Sequence, residues 1–530
     1  MATDASSFTD GPTDPASPAS GAGRTALSSR QTTVLVIAVF AAGLCSIVYE
    51  LLIGTASSYF LGNSIQQFSI TIGLFMASMG IGSFMSRLLG ERVLGTFVKV
   101  ELALGLVGGV SIPALYGIYA YTDLYYPAMV LFIAVIGTLT GLEIPMLVLA
   151  MRRFFALEVS LSNILSLDYL GALAATLLFP FALLPLLGTF KSSLVTGALN
   201  IVIALVVLRA FSAQVSSGQR IGFTLFGLGG LVGLGVLLVF SSALMRPWHH
   251  AIYDDQVLLV RQSPYQKIVI TRHRSDLRLY LNGNLQFSSL DEYRYHEALI
   301  HPAFSLAPSH KNVLVLGGGD GIATREILEY KDVGSVTDVD LDPAMTNLAR
   351  DNHLLRGINK DSFRSPRVHI ENRDAWVFAK KSHRQFNVIV IDLPDPNDTS
   401  LARLYSLEFY ALLARHLAHD GVLVTQATSP FFAKKAFWCI ADTLHAAGLH
   451  VAPYHADVPS FGDWGFVLAA GFPIDVSKIH LRVPTRYLDN AMLPRLFEFP
   501  RDVRIASQKA STLDDPIVLR RYLEGWKDWQ

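Results

Sequence analysis

Long apolar segments recur through the first half of the chain, and they restrict its fold more than any other feature. A helix of about 20 apolar residues crosses a hydrocarbon core of about 30 Å, where every backbone polar group must be paired internally. We therefore expect a multi-pass α-helical membrane domain over residues 31–245, with about seven transmembrane helices. The predicted spans are 32–54, 66–89, 100–121, 125–150, 163–188, 192–212 and 221–244.

Composition agrees with a membrane protein. Of the 530 residues, 51% are hydrophobic and only 16% are charged. Residues 1–30 are rich in Ser, Pro and Ala and are expected to form a disordered leader. The leader has no cleavage site of the signal-peptide type, so the first span is expected to be retained. The net charge of zero argues against nucleic-acid binding. The spacing of Cys45 and Cys439 does not fit a metal site. A chain with only these two cysteines cannot form a disulfide framework.

Three acids lie within the predicted spans: Glu50, Glu143 and Asp168. Carboxyl groups inside a membrane are costly, and they commonly mark a path for protons or cations. The alternative is that they lie near the membrane surface or bond neighbouring helices. Both interpretations remain open at this point.

From about Arg246 the chain changes to charged, alternating sequence. Residues 246–290 predict a small β domain whose short strands lie at 256–260, 267–270 and 279–281, the last before an Asn282–Gly283 turn. Between 291 and 475, strand and helix patterns alternate, which predicts an α/β Rossmann-like, methyltransferase-type, doubly wound sheet. Residues 476–530 are expected to form a C-terminal helical tail.

Acidic residues follow the predicted parallel strands of this sheet. Strand 313–316 runs into the glycine turn 317–321, which contains Asp320. Later strands end at Asp340, Asp374, Asp392 and Gln426. Because ligands of such sheets bind beyond the carboxyl ends of the strands, we expect these side chains to share one rim. Asp320 would repel a phosphate or carboxylate and would attract an ammonium. At a separation of 4 Å either interaction energy is about 4 kcal/mol. The alternative is that Asp320 only caps a helix.

Position along the chain gives each acid an expected role. Asp340 lies about 20 residues past the glycine turn, where a ribose diol is usually bound. Asp374, with Ala375 beside it, is placed to accept a hydrogen bond from an adenine amino group. Asp392 and Asp395 form a paired-acid loop, stiffened by prolines, at the reactive end of the ligand. The site is therefore expected to bind a nucleoside with a cationic tail.

These residues resemble the polyamine aminopropyltransferases, the spermidine synthase family, in the branch fused to an N-terminal multi-pass membrane domain. The resemblance covers roughly residues 255–475 and depends on the order and spacing of several motifs. They are Tyr-Gln-Lys at 265–267, Asn-Gly-Asn-Leu-Gln at 282–286, Asp-Glu-Tyr-Arg-Tyr-His-Glu at 291–297, Gly-Gly-Gly-Asp-Gly at 317–321, Asp-Leu-Pro-Asp-Pro at 392–396, Leu-Tyr-Ser-Leu-Glu-Phe-Tyr at 404–410, Thr-Gln-Ala-Thr-Ser-Pro at 425–430, and the 459–466 segment.

The resemblance implies transfer of an aminopropyl group from decarboxylated S-adenosylmethionine to putrescine, giving spermidine and 5'-methylthioadenosine. It implies no cofactor and no metal. The donor would be bound by Gln266, Asp320, Asp340, Asp374 and Ala375. The acceptor or polyamine would be bound by His296, Asp320, Asp395, Tyr295, Gln286 and Trp464. Asp392 would be the catalytic proton acceptor. A shorter Asp340 in place of the usual glutamate, and the absence of a Gly-Pro pair after Pro396, depart from the family pattern, and the second leaves the acceptor amine open.

Two other functions remain possible. The alternatives to an aminopropyltransferase are an AdoMet-dependent methyltransferase on the same fold, and a membrane transporter or sensor of polyamines with an inactive synthase-like domain. Arg403, Lys434 and Lys435 are interpreted as a solvated surface. We expect membrane lipid and small-molecule substrates as partners, and a homo-oligomer.

Two arguments predict opposite orientations of the protein in the membrane. Most basic residues of the first half lie on the leader's side of a seven-span arrangement, so the positive-inside rule puts the soluble half outside the cytoplasm. A miscounted span, such as a re-entrant 163–188 segment, would remove the conflict. Metabolite supply favours a cytoplasmic catalytic domain in the cell membrane, and we expect that arrangement. The basic residues are Arg24, Arg30, Arg87, Arg92, Lys99, Arg152, Arg153 and Arg220.

Overall fold

The computed structural model describes residues 28–61, 64–88, 93–151, 157–253, 255–527 and 529. The expected leader therefore lies almost entirely outside the described residues, as do Arg24, Arg92, Arg152 and Arg153. The first half is helical. Its α-helices are α1 (Ser29–Leu61), α2 (Ser64–Met85), α3 (Val93–Tyr121), α4 (Tyr125–Met151), α5 (Leu157–Leu178), α6 (Leu184–Ala210), α7 (Ser217–Val239) and α8 (Ser241–Tyr253).

Six stretches of the described helices are long and apolar enough to cross a membrane, against about seven predicted spans. The difference lies in Leu161–Ala210, which runs for 50 residues without a loop. A π-helical turn, Phe179–Leu183, joins α5 to α6. Gly188 then breaks the helix, with φ 69° and ψ 176°. A straight helix of that length would measure about 75 Å, far more than a bilayer, and the break divides it into two arms.

Glycines bring the apolar helices into close contact. A Cβ atom on Gly82 would lie 2.0 Å from the Thr138 carbonyl oxygen of α4. A Cβ on Gly105 of α3 would lie 2.7 Å from the Gly197 carbonyl oxygen of α6. Small residues at such positions allow two helix backbones to approach each other.

The small β domain follows α8. Its antiparallel strands pair in chain order, and the three predicted strands are present with a fourth after the Asn282–Gly283 turn. They are β1 (Gln256–Gln262), β2 (Lys267–His273), β3 (Asp276–Leu281) and β4 (Asn284–Ser288). Apolar residues of these strands, such as Ile268 and Phe287, pack with Met345 and Leu348 of the α/β domain. This contact places the β1–β2 turn beside the rim of the larger sheet.

The α/β domain contains a seven-stranded sheet in the order β10-β11-β9-β8-β5-β6-β7. Its strands are β5 (Asn312–Gly317), β6 (Ser335–Asp340), β7 (Val368–Asn372), β8 (Phe386–Asp392), β9 (Leu417–Gln426), β10 (His450–Val458) and β11 (Gly462–Ala470). The α-helices are α9 (Glu292–Leu306), α10 (Ile322–Leu328), α11 (Pro343–Asp351), α12 (His353–Asn359), α13 (Ala375–Lys381), α14 (Thr399–Ala402), α15 (Leu407–Ala414), α16 (Lys434–Ala446) and α17 (Ile517–Trp526).

Strands β5 to β9 are parallel to one another, which confirms the predicted doubly wound core. One face of the sheet packs against α9 and α10, and the other against α13, α15 and α16. Because the parallel strands end at the same edge, the glycine turn, Asp340, Asp392 and Gln426 share one rim, as expected.

Two features differ from the sequence-based expectation. The antiparallel strands β10 and β11 extend the sheet beyond β9, although no strands were predicted there. The tail after residue 475 is only partly helical, with α17 and the short 3-10 segments Val476–Lys478 and Leu493–Phe497. Most of the tail lies in irregular structure against the core, and Val503 and Val518 are buried in it.

Candidate active site

The glycine turn after β5 brings the chain back to the end of β8. Gly317 and Gly318 both have positive φ, 83° and 66°. A Cβ on Gly317 would lie 2.1 Å from the Asp392 carbonyl oxygen. Asp320 follows, and its Oδ1 accepts a hydrogen bond of 2.9 Å from the Ile322 amide. Asp320 precedes Gly321, the N-cap residue of α10, and pairs with the first amide of that helix. Its carboxyl group also interacts electrostatically with His296 and Asp392.

Asp340 lies against the same turn. Its Oδ1 accepts a hydrogen bond of 2.8 Å from the Asp342 amide, and the Gly319 amide also hydrogen-bonds to its carboxyl group. A Cβ on Gly319 would lie 2.5 Å from Asp340 Oδ2, so this position has no room for a side chain. The neighbouring Asp342 carboxylate accepts a hydrogen bond of 3.0 Å from Gln266 Nε2. The structure thus brings Gln266, from the β1–β2 turn, to the predicted ribose-binding acid through Asp342.

Asp392 ends β8 and is held by Tyr295 of α9. The Tyr295 hydroxyl donates a hydrogen bond of 2.7 Å to Asp392 Oδ1. Burial raises the pKa of the Asp392 carboxyl, while the charge of His296 and the Tyr295 hydrogen bond oppose that rise. The Tyr295 ring packs against Phe466 at 5.4 Å and Phe461 at 5.9 Å between ring centroids. Tyr295 therefore fixes the orientation of the predicted proton acceptor.

Three acids of the rim have pKa values well above the ordinary value of an aspartate. Burial raises the pKa of Asp320, Asp340 and Asp395 to about 6 each. Carboxylate neighbours add to the effect, since Asp320 is affected by Asp392 and Asp340 by Asp342 and Asp320. A crowded set of buried carboxylates of this kind favours cations as ligands.

His296 is buried among these carboxyl groups. Burial alone would lower its pKa, but Glu292, followed by Asp320 and Asp392, raises the pKa of His296 to about 9. Its Nδ1 lies 3.2 Å from Glu292 Oε2 and 2.7 Å from the Glu292 carbonyl oxygen. At neutral pH His296 is therefore an imidazolium that offsets part of the negative charge of the rim.

Asp395 occupies the other end of the rim. Its carboxylate accepts hydrogen bonds from Gln426 Nε2 at 3.2 Å and from the Thr428 hydroxyl at 3.1 Å. The Tyr522 hydroxyl, from α17, also interacts with this carboxyl group. Gln426 further donates to the Leu393 carbonyl oxygen at 2.7 Å. Gln426 is thus an organiser of the paired-acid loop rather than a simple strand-end residue.

Asp374 lies farther along the rim, at the start of α13. Its Oδ1 accepts a hydrogen bond of 3.0 Å from the Val377 amide, and its Oδ2 is paired with Arg403. Ala375 is the first residue of the helix and is 7% exposed. The Arg403 side chain is 39% exposed, which agrees with its interpretation as part of a solvated surface, and its guanidinium group also bonds to Asp374.

The last two predicted site residues are less closely tied to the acids. Trp464 stands at the start of β11 and its ring packs against Phe461 at 5.0 Å. Its indole Nε1 is buried and has no hydrogen-bond partner in the described part of the chain. The Gln286 amide donates to the Asn284 carbonyl oxygen at 3.2 Å. Within the residues that the structure describes, no hydrogen bond joins Gln286 to the rim acids.

Sequence reasoning missed four residues of this region. Asp338 of β6 is fully buried and its Oδ2 accepts a hydrogen bond of 3.0 Å from Thr324. Burial and the nearby Asp340 raise the pKa of Asp338 well above its usual range. Glu292 pairs with His296, Asp342 accepts a hydrogen bond from Gln266, and Tyr522 interacts with Asp395. Two of these four residues have a signal in the sequence. Acids alternate along Ser335–Asp340, which points to Asp338, and Glu292 lies four residues before His296.

Comparison with known proteins gives the family. The family model for the spermine/spermidine synthase domain matches residues 292–473. A "Polyamine aminopropyltransferase 2" of Ralstonia nicotianae is 43% identical over 505 residues, which cover 94% of this chain and 99% of the relative. A "Polyamine aminopropyltransferase 1" of Streptomyces coelicolor is 42% identical over 510 residues, covering 94% and 95%.

Among solved structures, spermidine synthase from Thermotoga maritima is 25% identical, with a TM-score of 0.44 over 47% of this chain and 86% of that chain. These sequence relatives cover the helical and α/β halves together. The chain belongs to the polyamine aminopropyltransferase family.

Proposed function

We propose that the protein is a spermidine synthase, which transfers the aminopropyl group of decarboxylated S-adenosylmethionine to putrescine and releases spermidine and 5'-methylthioadenosine. The observation that carries the proposal is the set of buried carboxyl groups along one rim, in a chain of this family. Asp320, Asp392 and Asp395 are buried carboxyl groups and would supply the negative partners that a cationic nucleoside and a diamine need. A methyl donor with its own carboxylate would be repelled by Asp320.

We propose that the donor's nucleoside occupies the side of the rim near the β1–β2 turn. Asp340 would bind the ribose hydroxyls, Gln266 would support it through Asp342, and Asp374 with Ala375 would face the adenine. Arg403 is bonded to Asp374, so it competes with the adenine amino group for that carboxylate. Asp320, held by the Ile322 amide, would receive the ammonium of the aminopropyl group.

We propose Asp392 as the proton acceptor. The amines of putrescine have pKa values near 10.4, so nearly all are protonated at neutral pH and cannot attack. Asp392 takes a proton from the attacking nitrogen, whose lone pair then forms a bond to the propyl carbon while the bond from that carbon to sulfur breaks. The sulfur leaves as a neutral thioether. Tyr295 keeps Asp392 in place through its 2.7 Å hydrogen bond.

Asp395, Tyr295 and Trp464 would line the acceptor side, where the far ammonium of the diamine pairs with Asp395. Gln286 is a proposed contributor at its margin. His296 has a pKa raised to about 9 by Glu292 and the rim acids, so it carries a positive charge at neutral pH. We propose that His296 acts on the polyamine mainly by setting the charge of Asp320 and Asp392.

We propose that the reaction needs neither a cofactor nor a metal. The sulfonium is already an activated leaving group, and a carboxylate is sufficient as the base.

One assay tests the function. The purified full-length protein is incubated with decarboxylated S-adenosylmethionine and, separately, putrescine, cadaverine or spermidine, and products are identified by mass spectrometry. We expect equal amounts of spermidine and 5'-methylthioadenosine with putrescine. S-adenosylmethionine in place of the donor is the matched control and is expected to give no transfer. Formation of a methylated product would favour the methyltransferase alternative.

We also propose that the helical half spans the cell membrane, with membrane lipid around it, and that the catalytic half faces the cytoplasm, where the substrates are made. The length and hydropathy of six stretches of helix support insertion. With seven spans the basic residues argue for the opposite side, and with six spans they agree with a cytoplasmic catalytic half. Reporter fusions after residue 527, active only inside or only outside the cytoplasm, decide between the two.

We further propose a homo-oligomer, to be measured by light scattering.

A cation pathway through the helical half is a second candidate function. Glu143 of α4 is 2% exposed and its Oε1 has no hydrogen-bond partner among the described residues. Glu101 of α3, which the sequence reading missed, is fully buried and interacts with Glu143. Asp168 also interacts with Glu143, whereas Glu50 lies elsewhere on α1. Uptake of labelled spermidine into proteoliposomes, abolished by Glu143→Gln, would support transport.

A further inference from the structure

Lys267, the first residue of β2, has a buried ammonium group outside the rim of acids. The residue is 8% exposed, and its Nζ has no hydrogen-bond partner in the described part of the chain. Burial lowers the pKa of Lys267 to about 8. Lysine is seldom buried without a counter-charge, because its charged form loses hydration. Another interaction must therefore hold the side chain in this position.

The aromatic end of the helical half supplies that interaction. Lys267 Nζ lies 4.5 Å from the ring centroid of Tyr59 on α1 and 5.6 Å from that of Tyr116 on α3. These are cation–π distances. The Tyr59 hydroxyl is hydrogen-bonded to Tyr253 at 2.7 Å, and the Tyr116 ring packs against Phe60 at 4.8 Å. The two rings are thus fixed by other residues of the helical half before they meet the lysine.

The backbone around Lys267 is equally fixed. Its amide donates to Asn282 Oδ1 at 2.9 Å, and its carbonyl oxygen accepts from the Asn282 amide at 2.9 Å. The preceding turn is closed by a hydrogen bond of 2.9 Å from the Ser263 amide to the Gln266 carbonyl oxygen. Gln266 and Lys267 therefore belong to one hydrogen-bonded segment that fixes their positions relative to each other.

Gln266 is the neighbour through which Lys267 reaches the donor side of the site. Gln266 Nε2 donates to Asp342 Oδ2 at 3.0 Å, and the Ser263 hydroxyl donates to the same oxygen at 2.8 Å. The Asp342 amide in turn donates to Asp340. Two consecutive residues thus contact opposite partners, Lys267 the helical half and Gln266 the acids proposed to bind the donor.

We propose that Lys267 is a positioning residue that couples the helical half to donor binding, because the aromatic rings of Tyr59 and Tyr116 hold its ammonium and thereby hold Gln266 against Asp342. The helical half then contributes to the affinity of the enzyme for the donor, in addition to anchoring the protein. This inference rests on the proposed function, since it assigns the donor to the Gln266 side of the rim.

The test is a comparison of KM values in the full-length protein in nanodiscs. Lys267→Met replaces the side chain by an unbranched one that is a single atom shorter and uncharged. We expect the KM for decarboxylated S-adenosylmethionine to rise about tenfold, equivalent to about 1.4 kcal/mol, while kcat and the KM for putrescine change less than about twofold. Lys267→Arg keeps a cation that binds aromatic rings and is expected to restore most of the donor KM.

Two further variants separate coupling from general damage. Tyr59→Leu removes a ring in the helical half, far from the chemistry, and should raise the donor KM in the same way, whereas Tyr59→Phe keeps the ring and should not. Lys311→Met, at an exposed lysine of the neighbouring α/β domain, is the matched control and should leave all constants unchanged. Thermal unfolding of each variant identifies misfolded protein. If Lys267→Met is misfolded, the comparison of Tyr59→Leu with Tyr59→Phe tests the coupling instead.

An unchanged donor KM in Lys267→Met and Tyr59→Leu would overturn the inference. So would equal losses for donor and acceptor, or a failure of Lys267→Arg to restore donor binding. These results leave the proposed function intact as long as the wild-type protein makes spermidine. If the wild-type protein makes none, the proposed function fails first, and the two failures are distinguishable.

Discussion

Gly319→Ala tests the assignment of Asp340 as the residue that binds the donor. The added Cβ would lie 2.5 Å from Asp340 Oδ2 and 2.7 Å from its Cγ. Since an ordinary contact is about 3.5 Å, the carboxylate or the turn must move by about 1 Å. Asp340 is fixed by the amides of Gly319 and Asp342, so this movement disrupts at least one hydrogen bond to a charged acceptor.

A hydrogen bond to a charged group is worth about 1.5–3 kcal/mol, so we expect the donor KM to rise about 10- to 150-fold. The KM for putrescine should change little, because Asp395 lies at the other end of the rim. The assay measures 5'-methylthioadenosine at varied donor concentration. Gly357→Ala is the matched control, since a Cβ there meets no atom within 4 Å, and it should stabilise α12 by about 1 kcal/mol without affecting the KM. A wild-type donor KM in Gly319→Ala would refute the reasoning, as would an equal rise for both substrates.

Three further outcomes follow from the charges of the rim. Asp392→Asn removes the proposed base and should lower kcat about 10²- to 10⁴-fold with donor binding, measured by calorimetry, nearly intact; a wild-type rate would exclude Asp392 as the base. Asp320→Asn should reduce the preference for the decarboxylated donor over S-adenosylmethionine by about 10²- to 10³-fold, and unchanged discrimination in competition assays would contradict its role. Burial raises the pKa of Asp320, Asp340 and Asp395 to about 6, so these groups lose their charge as the pH falls through 6. A profile of kcat/KM against pH should therefore fall below pH 6 more steeply than one titrating group allows, whereas a flat profile down to pH 5 would show that their charge is not needed.

The rim was predictable because each of its residues follows an element with a strong local signal. The strand Asn312–Gly317 and its glycine turn place Asp320, and the β-branched strand Phe386–Asp392 places Asp392. Once the strands are parallel, their ends must meet at one edge. The proximity of Asp320 to Asp392 therefore follows from topology, without any contact being predicted in advance.

The residues that support the rim were not predictable in the same way. Arg403 meets Asp374 across 29 positions of sequence, and Tyr522 reaches Asp395 from a tail expected only to be helical. Such contacts depend on how loops fold back over the sheet, and no local pattern encodes them. The charge of His296 is a further example, because it depends on Glu292, Asp320 and Asp392 together.

The helical half shows the limit of counting hydrophobic runs. Residues 161–210 contain enough apolar sequence for two spans, and the sequence reading divided them at residues 188–192. The structure continues the helix through a π-helical turn and breaks it at Gly188, where positive φ is needed. Composition therefore located the break within a few residues, but the count of spans depends on whether a bent helix is one element or two.

The protonated state of the rim acids has a consequence for heats of binding. Near pH 6, Asp320, Asp340 and Asp395 are each partly protonated. A cationic ligand that pairs with one of these carboxylates expels its proton into the solution. Calorimetric enthalpies measured in two buffers will then differ by the number of protons released multiplied by the difference between the ionisation enthalpies of the buffers. Each engaged acid releases about half a proton at pH 6, so the number of protons released reports how many of the three acids the ligand engages.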